Sequence, residues 1–150
     1  MEFYSLRDYM NENKEKISKI KSSYLCLLQE LTVAPNISDE SFVSVIENIY
    51  KMGIIVIGVS EETIVCTGTI IIEPKIIHGG KSAGHIEDIV VLSSWRGKGL
   101  GSALIDHLKL YAFNNNCYKV ILDCNETLEN FYQQSGFYKC GIQMKITKNI

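Results

Sequence analysis

The spacing of hydrophobic and polar residues changes along this chain, and each change predicts an element. Residues 3–9 alternate as a first strand would, and apolar side chains then recur at helical spacing over residues 14–31. Pro35 breaks that helix, and Ser38 is a good N-cap for a second helix that reaches about Met52. The first third of the chain therefore predicts one strand and two amphipathic helices.

The rest of the chain predicts mostly strands. Residues 54–60 and 63–73 flank Glu61-Glu62, a pattern typical of a hairpin. There follow a strand over 84–92, an amphipathic helix over 99–115, a continuously apolar strand of the buried parallel kind over 118–123, a short helix over 127–135 and a last strand over 137–147. Strands interleaved with helices in this way predict an α/β fold with a mixed sheet and helices on its faces.

Composition and charge narrow the class of protein. The chain has 150 residues, 46% hydrophobic and 21% charged, which suits a single globular domain. A formal charge of −2 gives no basic field for nucleic acid, and the apolar runs fall short of the roughly 20 residues that cross a membrane. Five cysteines without a Cys-x-x-Cys pair argue against a disulfide framework or a zinc site. We expect a cytoplasmic protein without a metal and without nucleic-acid or membrane partners.

A glycine-rich segment between a predicted strand and a predicted helix is the first candidate site. It reads Arg96-Gly97-Lys98-Gly99-Leu100-Gly101 and is called the glycine turn (residues 96–101) below. Glycines let the backbone approach a ligand closely, and the free N–H groups of the following helix favour an anion. Arg96 and Lys98 add countercharge. The spacing differs from the nucleotide-binding P-loop and dinucleotide patterns, so the turn predicts a pyrophosphate site of another kind.

Two motifs resemble those of the GNAT superfamily of N-acetyltransferases. The glycine turn matches its Arg/Gln-x-x-Gly-x-Gly/Ala signature, and Asn125 precedes Tyr132 by seven residues, ahead of a Gly-Phe pair, as in its second motif. The resemblance implies the GNAT fold, with a mixed central sheet of about six or seven strands flanked by about four helices. It also implies acetyl-coenzyme A as co-substrate, held by the glycine turn, by Asn125 and Tyr132, and by the strand backbone at Ile89, Val90 and Val91.

Longer blocks are similar to one family within that superfamily, the glucosamine-6-phosphate N-acetyltransferases. These blocks are residues 31–32, 70–78, 84–91 and 117–124, and the resemblance runs from about residue 31 to residue 148. It implies acetylation of the amine of D-glucosamine 6-phosphate on the route to UDP-N-acetylglucosamine. It also implies a homodimer, with the C-terminal strand near the interface and the partner completing each sugar site.

The same resemblance assigns catalytic roles to four residues. It puts Glu87 and Asp88 beside the sugar and the acetyl group, Asp123 near the amine, and the Tyr132 hydroxyl where it stabilises or protonates the departing thiolate. Because neighbours on a strand point to opposite faces, Glu87 and Asp88 share a pocket directly only if a bulge intervenes. Two routes stay open for the amine proton, a carboxylate acting through water or direct loss to solvent.

A sugar phosphate also needs a cationic pocket. The further candidates for substrate binding are Thr32, Lys75, His78, Cys124 and Lys148. Thr147 stands where the family often has an arginine, so Lys148 is expected to replace it as a point charge. We interpret Cys124 as a small buried side chain rather than a nucleophile, since no histidine adjoins it in sequence.

Two other functions stay open from sequence. One is GNAT acetylation of another small amine or of a protein N-terminus, and the other is a non-catalytic acyl-coenzyme A-binding module. A pure binder needs only the glycine turn, so the presence of Glu87, Asp123 and Tyr132 favours an enzyme.

Overall fold

A computed structural model describes residues 1–148, and in it five strands form one mixed sheet. They are β1 (Glu2–Ser5), β2 (Gly53–Ser60), β3 (Thr63–Pro74), β4 (Ser82–Val91) and β5 (Cys117–Ile121), and they lie in that order across the sheet. β1 to β4 pair antiparallel, whereas β5 pairs parallel with β4. The predicted α/β fold with a mixed sheet is confirmed, with five strands in place of six or seven.

The part of the chain that the structure describes contains six helices. They are α1 (Leu6–Glu12), α2 (Ile17–Leu28), α3 (Asp39–Tyr50), α4 (Ile77–Gly80), α5 (Leu100–Asn114) and α6 (Glu129–Gln134). Two of them, α1 and α4, were not predicted, and α4 is a single turn in which His78 and Gly79 have left-handed φ values of 53° and 69°. Among these helices none is long and apolar enough to cross a membrane.

The helices cover both faces of the sheet with two separate hydrophobic clusters. On one face α1, α2 and α3 pack against β2 and β3 through a cluster that includes Leu6, Leu27, Phe42, Ile46 and Ile57. On the other face α5 lies across the sheet, because Leu100, Leu104, Leu108 and Ala112 recur every four residues along one side of that helix. The central strands β2 and β3 are therefore buried between two helical layers.

The predicted first strand over residues 3–9 was wrong in its second half. β1 ends at Ser5, whose Oγ accepts a hydrogen bond of 3.3 Å from Asp8 N and so caps the start of α1. Two other local predictions are confirmed. Ser38 caps α3 by accepting from Ser41 N at 3.1 Å, and Glu61 and Glu62 form the β2–β3 turn with φ values of 48° and 62°.

The predicted last strand over residues 137–147 was also wrong. Residues 137–148, called the C-terminal arm below, form neither helix nor strand. Four of the arm's large apolar side chains are more than four-fifths exposed; these are Tyr138, Ile142, Met144 and Ile146. A strand needs a neighbour that takes up its N–H and C=O groups, and no strand among residues 1–148 pairs with the arm.

The parallel strand predicted over residues 118–123 forms as β5, but it is not buried. It lies at the edge of the sheet, and Lys119 and Ile121 are exposed. The apolar run indicated that both faces of the strand are buried. Among the described residues, α5 is the helix that packs closely against β5.

Candidate active site

A β-bulge interrupts β4 at the pair of acidic residues. Glu87 lies opposite Thr69 of β3, but Val90 lies opposite Thr67, so Gly68 alone faces both Asp88 and Ile89. Asp88, the first residue of the bulge, has a left-handed φ of 53°, which is the conformation of that position in one class of bulge. Strict alternation of side chains fails here. Glu87 and Asp88 were expected to share a pocket directly only if a bulge interrupted the strand. That bulge is present.

Gly68 makes room for the bulge. A Cβ atom at this position would lie 2.4 Å from Ile89 Cδ1 and 3.0 Å from Leu108 Cδ1. The bulged side of β4 therefore approaches β3 and α5 more closely than any residue with a side chain would allow.

β4 and β5 stop pairing beside the bulge. Their last paired residues are His85 and Ile121, yet β4 runs on to Val91 while β5 ends. The edge of β4 that includes Ile89, Val90 and Val91 consequently has no β5 strand beside it. This opening between residues 86–91 and residues 122–125 is called the β4–β5 cleft.

Three carboxylates meet at the β4–β5 cleft. Glu87 and Asp123 each lie two residues beyond the last pair, so the parallel register holds them level with one another. Partial burial raises the pKa of Glu87, and the charges of Asp123 and then Asp88 raise it further, while His85 acts in the opposite direction. The Asp123 carboxylate accepts a hydrogen bond from Gln143 of the C-terminal arm. The three carboxylates predicted from sequence are therefore brought together.

Tyr132 of α6 lies buried near the same cleft. Its ring packs edge-on against Phe131 and Phe137, with centroids 5.0 and 6.1 Å away. Burial raises the pKa of the Tyr132 phenol, and a Coulombic contribution from the neighbouring Cys124 raises it further. Cys124 is exposed, so its interpretation as a buried side chain was wrong: the chain leaves the sheet after Ile121, and nothing covers this position among the described residues. Tyr132 and Cys124 thus lie close together.

The glycine turn has the shape that an anion requires. Gly97 and Gly99 have left-handed φ values of 74° and 78°, and nothing lies within 4 Å of a Cβ added to either. Gly99 is the N-cap of α5 and brings no side chain to its N–H groups, while Leu100 is the buried first residue of the helix. The Lys98 ammonium lies 4.3 Å from the Trp95 ring centroid. The turn therefore offers open space, unpaired amides and one cation.

Gly101 has a different reason to be glycine. A Cβ there would lie 2.9 Å from Phe131 Cζ, so this residue lets α6 approach α5. Asn125 is exposed just before a 3-10 turn (Glu126–Leu128) that leads into α6, and its carbonyl accepts from Leu128 N at 2.9 Å. Gly101 at the end of the glycine turn and Asn125 before α6 therefore lie in one packed unit, which also contains Tyr132.

Arg96 is held by protein groups. Its Nε donates to the Val91 carbonyl at 3.0 Å, and its Nη2 donates to Glu30 Oε2 at 2.9 Å. Glu30 also accepts from the backbone N and the hydroxyl of Ser93. Sequence reasoning missed Glu30, because it follows α2 and is separated from its partners by more than sixty residues.

The proposed phosphate ligands lie elsewhere in the chain. Lys75 and His78 follow β3, at the end of β4 that begins with Ser82, about 16 Å from Glu87 at the usual rise per strand residue. The Lys75 ammonium pairs with Glu73 at 2.5 Å, and Glu73 also pairs with His85 at 2.6 Å. The hydrogen bonds from Lys75 and then from His85 hold the pKa of Glu73 below its usual range. Within one protomer, Lys75 and His78 therefore do not reach the site that contains Glu87.

The remaining candidates are exposed. The His78 ring stacks on Tyr118 with centroids 4.1 Å apart. Thr32 lies in the loop after α2, where it lines a shallow depression with Gln29 and residues 33–35. Lys148 is exposed at the end of the described chain and makes no ion pair within residues 1–148. No group of three or more metal-binding side chains is found in that range either.

Comparison with known proteins identifies the family of this chain. The model of the acetyltransferase (GNAT) family matches residues 25–137. A glucosamine 6-phosphate N-acetyltransferase of Arabidopsis thaliana is 38% identical over 136 residues, which cover 87% of this chain and 91% of that protein. One of Trypanosoma brucei brucei is 40% identical over 128 residues, covering 83% and 87%.

A solved structure matches the whole fold. The crystal structure of the Arabidopsis thaliana glucosamine-6-phosphate N-acetyltransferase superposes with a TM-score of 0.87 and 33% identity, covering 99% of this chain and 98% of that one. The family model spans about three-quarters of the sequence, including β4, the glycine turn and Tyr132. The chain belongs to the acetyltransferase (GNAT) family.

Proposed function

We propose that this protein, as a single domain, transfers the acetyl group of acetyl-coenzyme A to the amine of D-glucosamine 6-phosphate. The product, N-acetyl-D-glucosamine 6-phosphate, suits the route to UDP-N-acetylglucosamine. The observation that carries acetyl transfer is the β4–β5 cleft, in which Glu87 and Asp123 stand level beside the bulge. The choice of acceptor rests on the relatives that are 38–40% identical over most of the chain.

Acetyl-coenzyme A supplies the acetyl group as a thioester, and the glycine turn fits its pyrophosphate. The free amides at the start of α5 and the Lys98 ammonium would hold the two phosphates over Gly97 and Gly99. The unpaired edge of β4 at residues 89–91 would hold the pantetheine arm by backbone hydrogen bonds, as an added strand would. Asn125 would contact the same ligand from the other side of the cleft.

The carboxylates act on the amine. Glu87, Asp88 and Asp123 bind the sugar and orient its amine toward the acetyl carbon, because an ammonium group is attracted to a cluster of negative charges. The raised pKa of Glu87 brings it closer to that of a proton acceptor near neutrality than an ordinary glutamate. Glu87, directly or through water, is the acceptor that we propose for the amine proton.

Tyr132 acts on the leaving group. Burial raises the pKa of this phenol, so it stays protonated at neutral pH. Its O–H stabilises the departing thiolate by a hydrogen bond and supplies the proton through that contact, because position rather than acidity favours the transfer. Cys124 lies near Tyr132, and we propose it as a contact for the substrate rather than as a nucleophile.

Two copies of the chain complete the site in this proposal. Lys75 and His78 lie far from Glu87 within one protomer, and the exposed apolar residues of the C-terminal arm need a cover. A homodimer formed through the arm would supply Lys75, His78 and Lys148 to a neighbouring sugar phosphate. Thr32 would contact the sugar from the loop after α2. The exposed free cysteines Cys26, Cys124 and Cys140 suit the cytoplasm, where thiols stay reduced.

The deciding experiment measures thiol release from acetyl-coenzyme A with three acceptors. We expect turnover with glucosamine 6-phosphate that exceeds turnover with glucosamine or spermidine by at least on the order of a hundredfold in kcat/KM, because a paired phosphate contributes a few kcal/mol. Equal or greater turnover with another amine would redirect the assignment of substrate. Binding of coenzyme A without turnover of any amine would leave only a binding module.

A further inference from the structure

Glu30 occupies a position from which it can shape the glycine turn. It lies in the turn that follows α2, where its own N–H donates to the Leu27 carbonyl at 3.1 Å. Its side chain is 25% exposed and reaches the 3-10 turn (Ser93–Trp95) that leads from β4 into the glycine turn. The carboxylate therefore reaches this loop from the turn that follows α2.

Four hydrogen bonds join Glu30 to that loop. The Ser93 N–H donates to both carboxylate oxygens, at 3.1 and 2.9 Å, and the Ser93 hydroxyl donates to Oε1 at 3.0 Å. Arg96 Nη2 donates to Oε2 at 2.9 Å. Both carboxylate oxygens are thus used, and three of the four hydrogen bonds come from one serine.

Glu30 replaces a cap that the loop's own sequence lacks. The residue before the 3-10 turn is Leu92, whose side chain has no acceptor for the free N–H groups. Glu30 accepts the first of these from outside, and Arg96 closes the other end by donating to the Val91 carbonyl. Residues 91–96 are therefore closed into a fixed loop by two side chains.

A fixed loop matters because the next residues are permissive. Gly97 and Gly99 adopt left-handed conformations with nothing packed over them, so they do not hold the turn in place themselves. A loop ordered before binding spares the ligand the entropic cost of ordering it. An exposed ion pair alone contributes little to global stability, so loss of Glu30 should leave the fold intact.

We infer that Glu30 is a positioning residue for the cofactor: it holds residues 93–96 so that the glycine turn presents its amides to the pyrophosphate of coenzyme A. The inference rests on the proposed function, because it takes coenzyme A as the ligand. In this arrangement the Arg96 guanidinium donates its hydrogen bonds to Glu30 and to the Val91 carbonyl. Lys98 therefore remains as the side-chain cation of the turn.

The test compares Glu30→Ala with Glu47→Ala. Glu47 on α3 also forms a surface ion pair, with Arg7 at 3.9 Å, but it lies on an element that makes no hydrogen bond to the loop within the described chain. We expect Glu30→Ala to raise the Kd of coenzyme A, measured by calorimetry, and the KM of acetyl-coenzyme A on the order of tenfold. The kcat should stay within about twofold, and Glu47→Ala should change none of these.

Two further readouts separate positioning from stability. Glu30→Gln keeps one oxygen for Ser93 N but loses the ion pair with Arg96, so its Kd should fall between wild type and Glu30→Ala. Trypsin should cut Glu30→Ala faster after Arg96 and Lys98 than it cuts wild type, and coenzyme A should slow that cutting. Both results would support a loop held by the carboxylate.

The opposite results are equally specific. An unchanged or tighter Kd in Glu30→Ala would overturn the inference, as would a lower Tm with kcat reduced and KM unchanged. Because coenzyme A binding is measured without an acceptor, it does not depend on the choice of sugar. If wild type itself failed to bind coenzyme A, the proposed function would fail first, and the two failures are thereby distinguished.

Discussion

Glu87 of β4 and Asp123 beyond β5 stand level across a cleft, each two residues past the last hydrogen-bonded pair, His85 and Ile121. Burial raises the pKa of Glu87, and the charge of Asp123 is the second cause. Parallel pairing up to that point, and its end there, bring together two carboxylates that are 36 residues apart in sequence. An acidic pair of this kind suits an amine substrate and costs the empty protein stability.

That cost can be measured with Glu87→Gln. A carboxyl group with a raised pKa binds its proton more tightly in the folded chain than in the unfolded one, so stability falls as pH rises above about 4.3. Glutamine removes the charge. We expect the variant to lose turnover and to be more stable at pH 7 by about 0.5 kcal/mol or less, since solvent screens an exposed group.

Urea unfolding at pH 7 and pH 4 checks this expectation. The gain at pH 7 should shrink toward pH 4, and Glu40→Gln, an exposed change on α3, should show no such trend. A less stable Glu87→Gln at pH 7 would mean that the carboxylate makes a favourable contact in the folded protein.

Gly99→Trp should close the pyrophosphate site. The residue has open space above it, so a large side chain fits but occupies the place of the ligand, and its left-handed φ of 78° costs about 1–2 kcal/mol of stability. We expect the Kd of coenzyme A to rise at least on the order of a hundredfold.

Gly80→Trp is the matched control. Gly80 has a φ of 77° and equally open space, but it lies in the β3–β4 connection. The two variants should lose similar stability in thermal melts, and only Gly99→Trp should lose coenzyme A in calorimetry. Equal affinities would remove the glycine turn from the cofactor site.

Tyr132→Phe separates chemistry from binding. The buried phenol has a raised pKa and keeps its proton at neutral pH, and phenylalanine preserves the ring contacts with Phe131 and Phe137. We expect kcat to fall at least about tenfold while the Kd of coenzyme A changes by less than about twofold. Tyr138→Phe, at a position that is 83% exposed, provides the comparison in stopped-time thiol assays. Unchanged kcat would exclude Tyr132 as the proton donor.

The C-terminal arm should control assembly. Ile142 and Ile146 are 92% and 97% exposed in one chain, and a dimer would bury them. We expect light scattering to give twice the chain mass for wild type and the single mass for Ile142→Asp/Ile146→Asp. Val45→Asp on α3, where the side chain is 52% exposed, should remain dimeric. A monomeric wild type would contradict the proposed dimer, and a single chain would then have to bind the sugar phosphate alone.

Local chemistry explains which elements could be predicted. Ser38 caps α3, Glu61-Glu62 turns the β2–β3 hairpin, and Leu104 and Leu108 face the sheet from α5, because each of these signals lies within a few residues. The glycine turn was recognisable for the same reason. Cap, turn and helical periodicity are properties of neighbouring residues.

Long-range packing decided the rest. The bulge at Asp88 depends on Gly68 on the neighbouring strand. Arg96 is held by the carboxylate of Glu30, which follows α2. The exposure of β5 and of the C-terminal arm depends on which surfaces cover them, which an apolar pattern does not specify. The residue types of the site could therefore be read along the chain, whereas their distances, charges and supports arise from contacts between residues far apart in sequence.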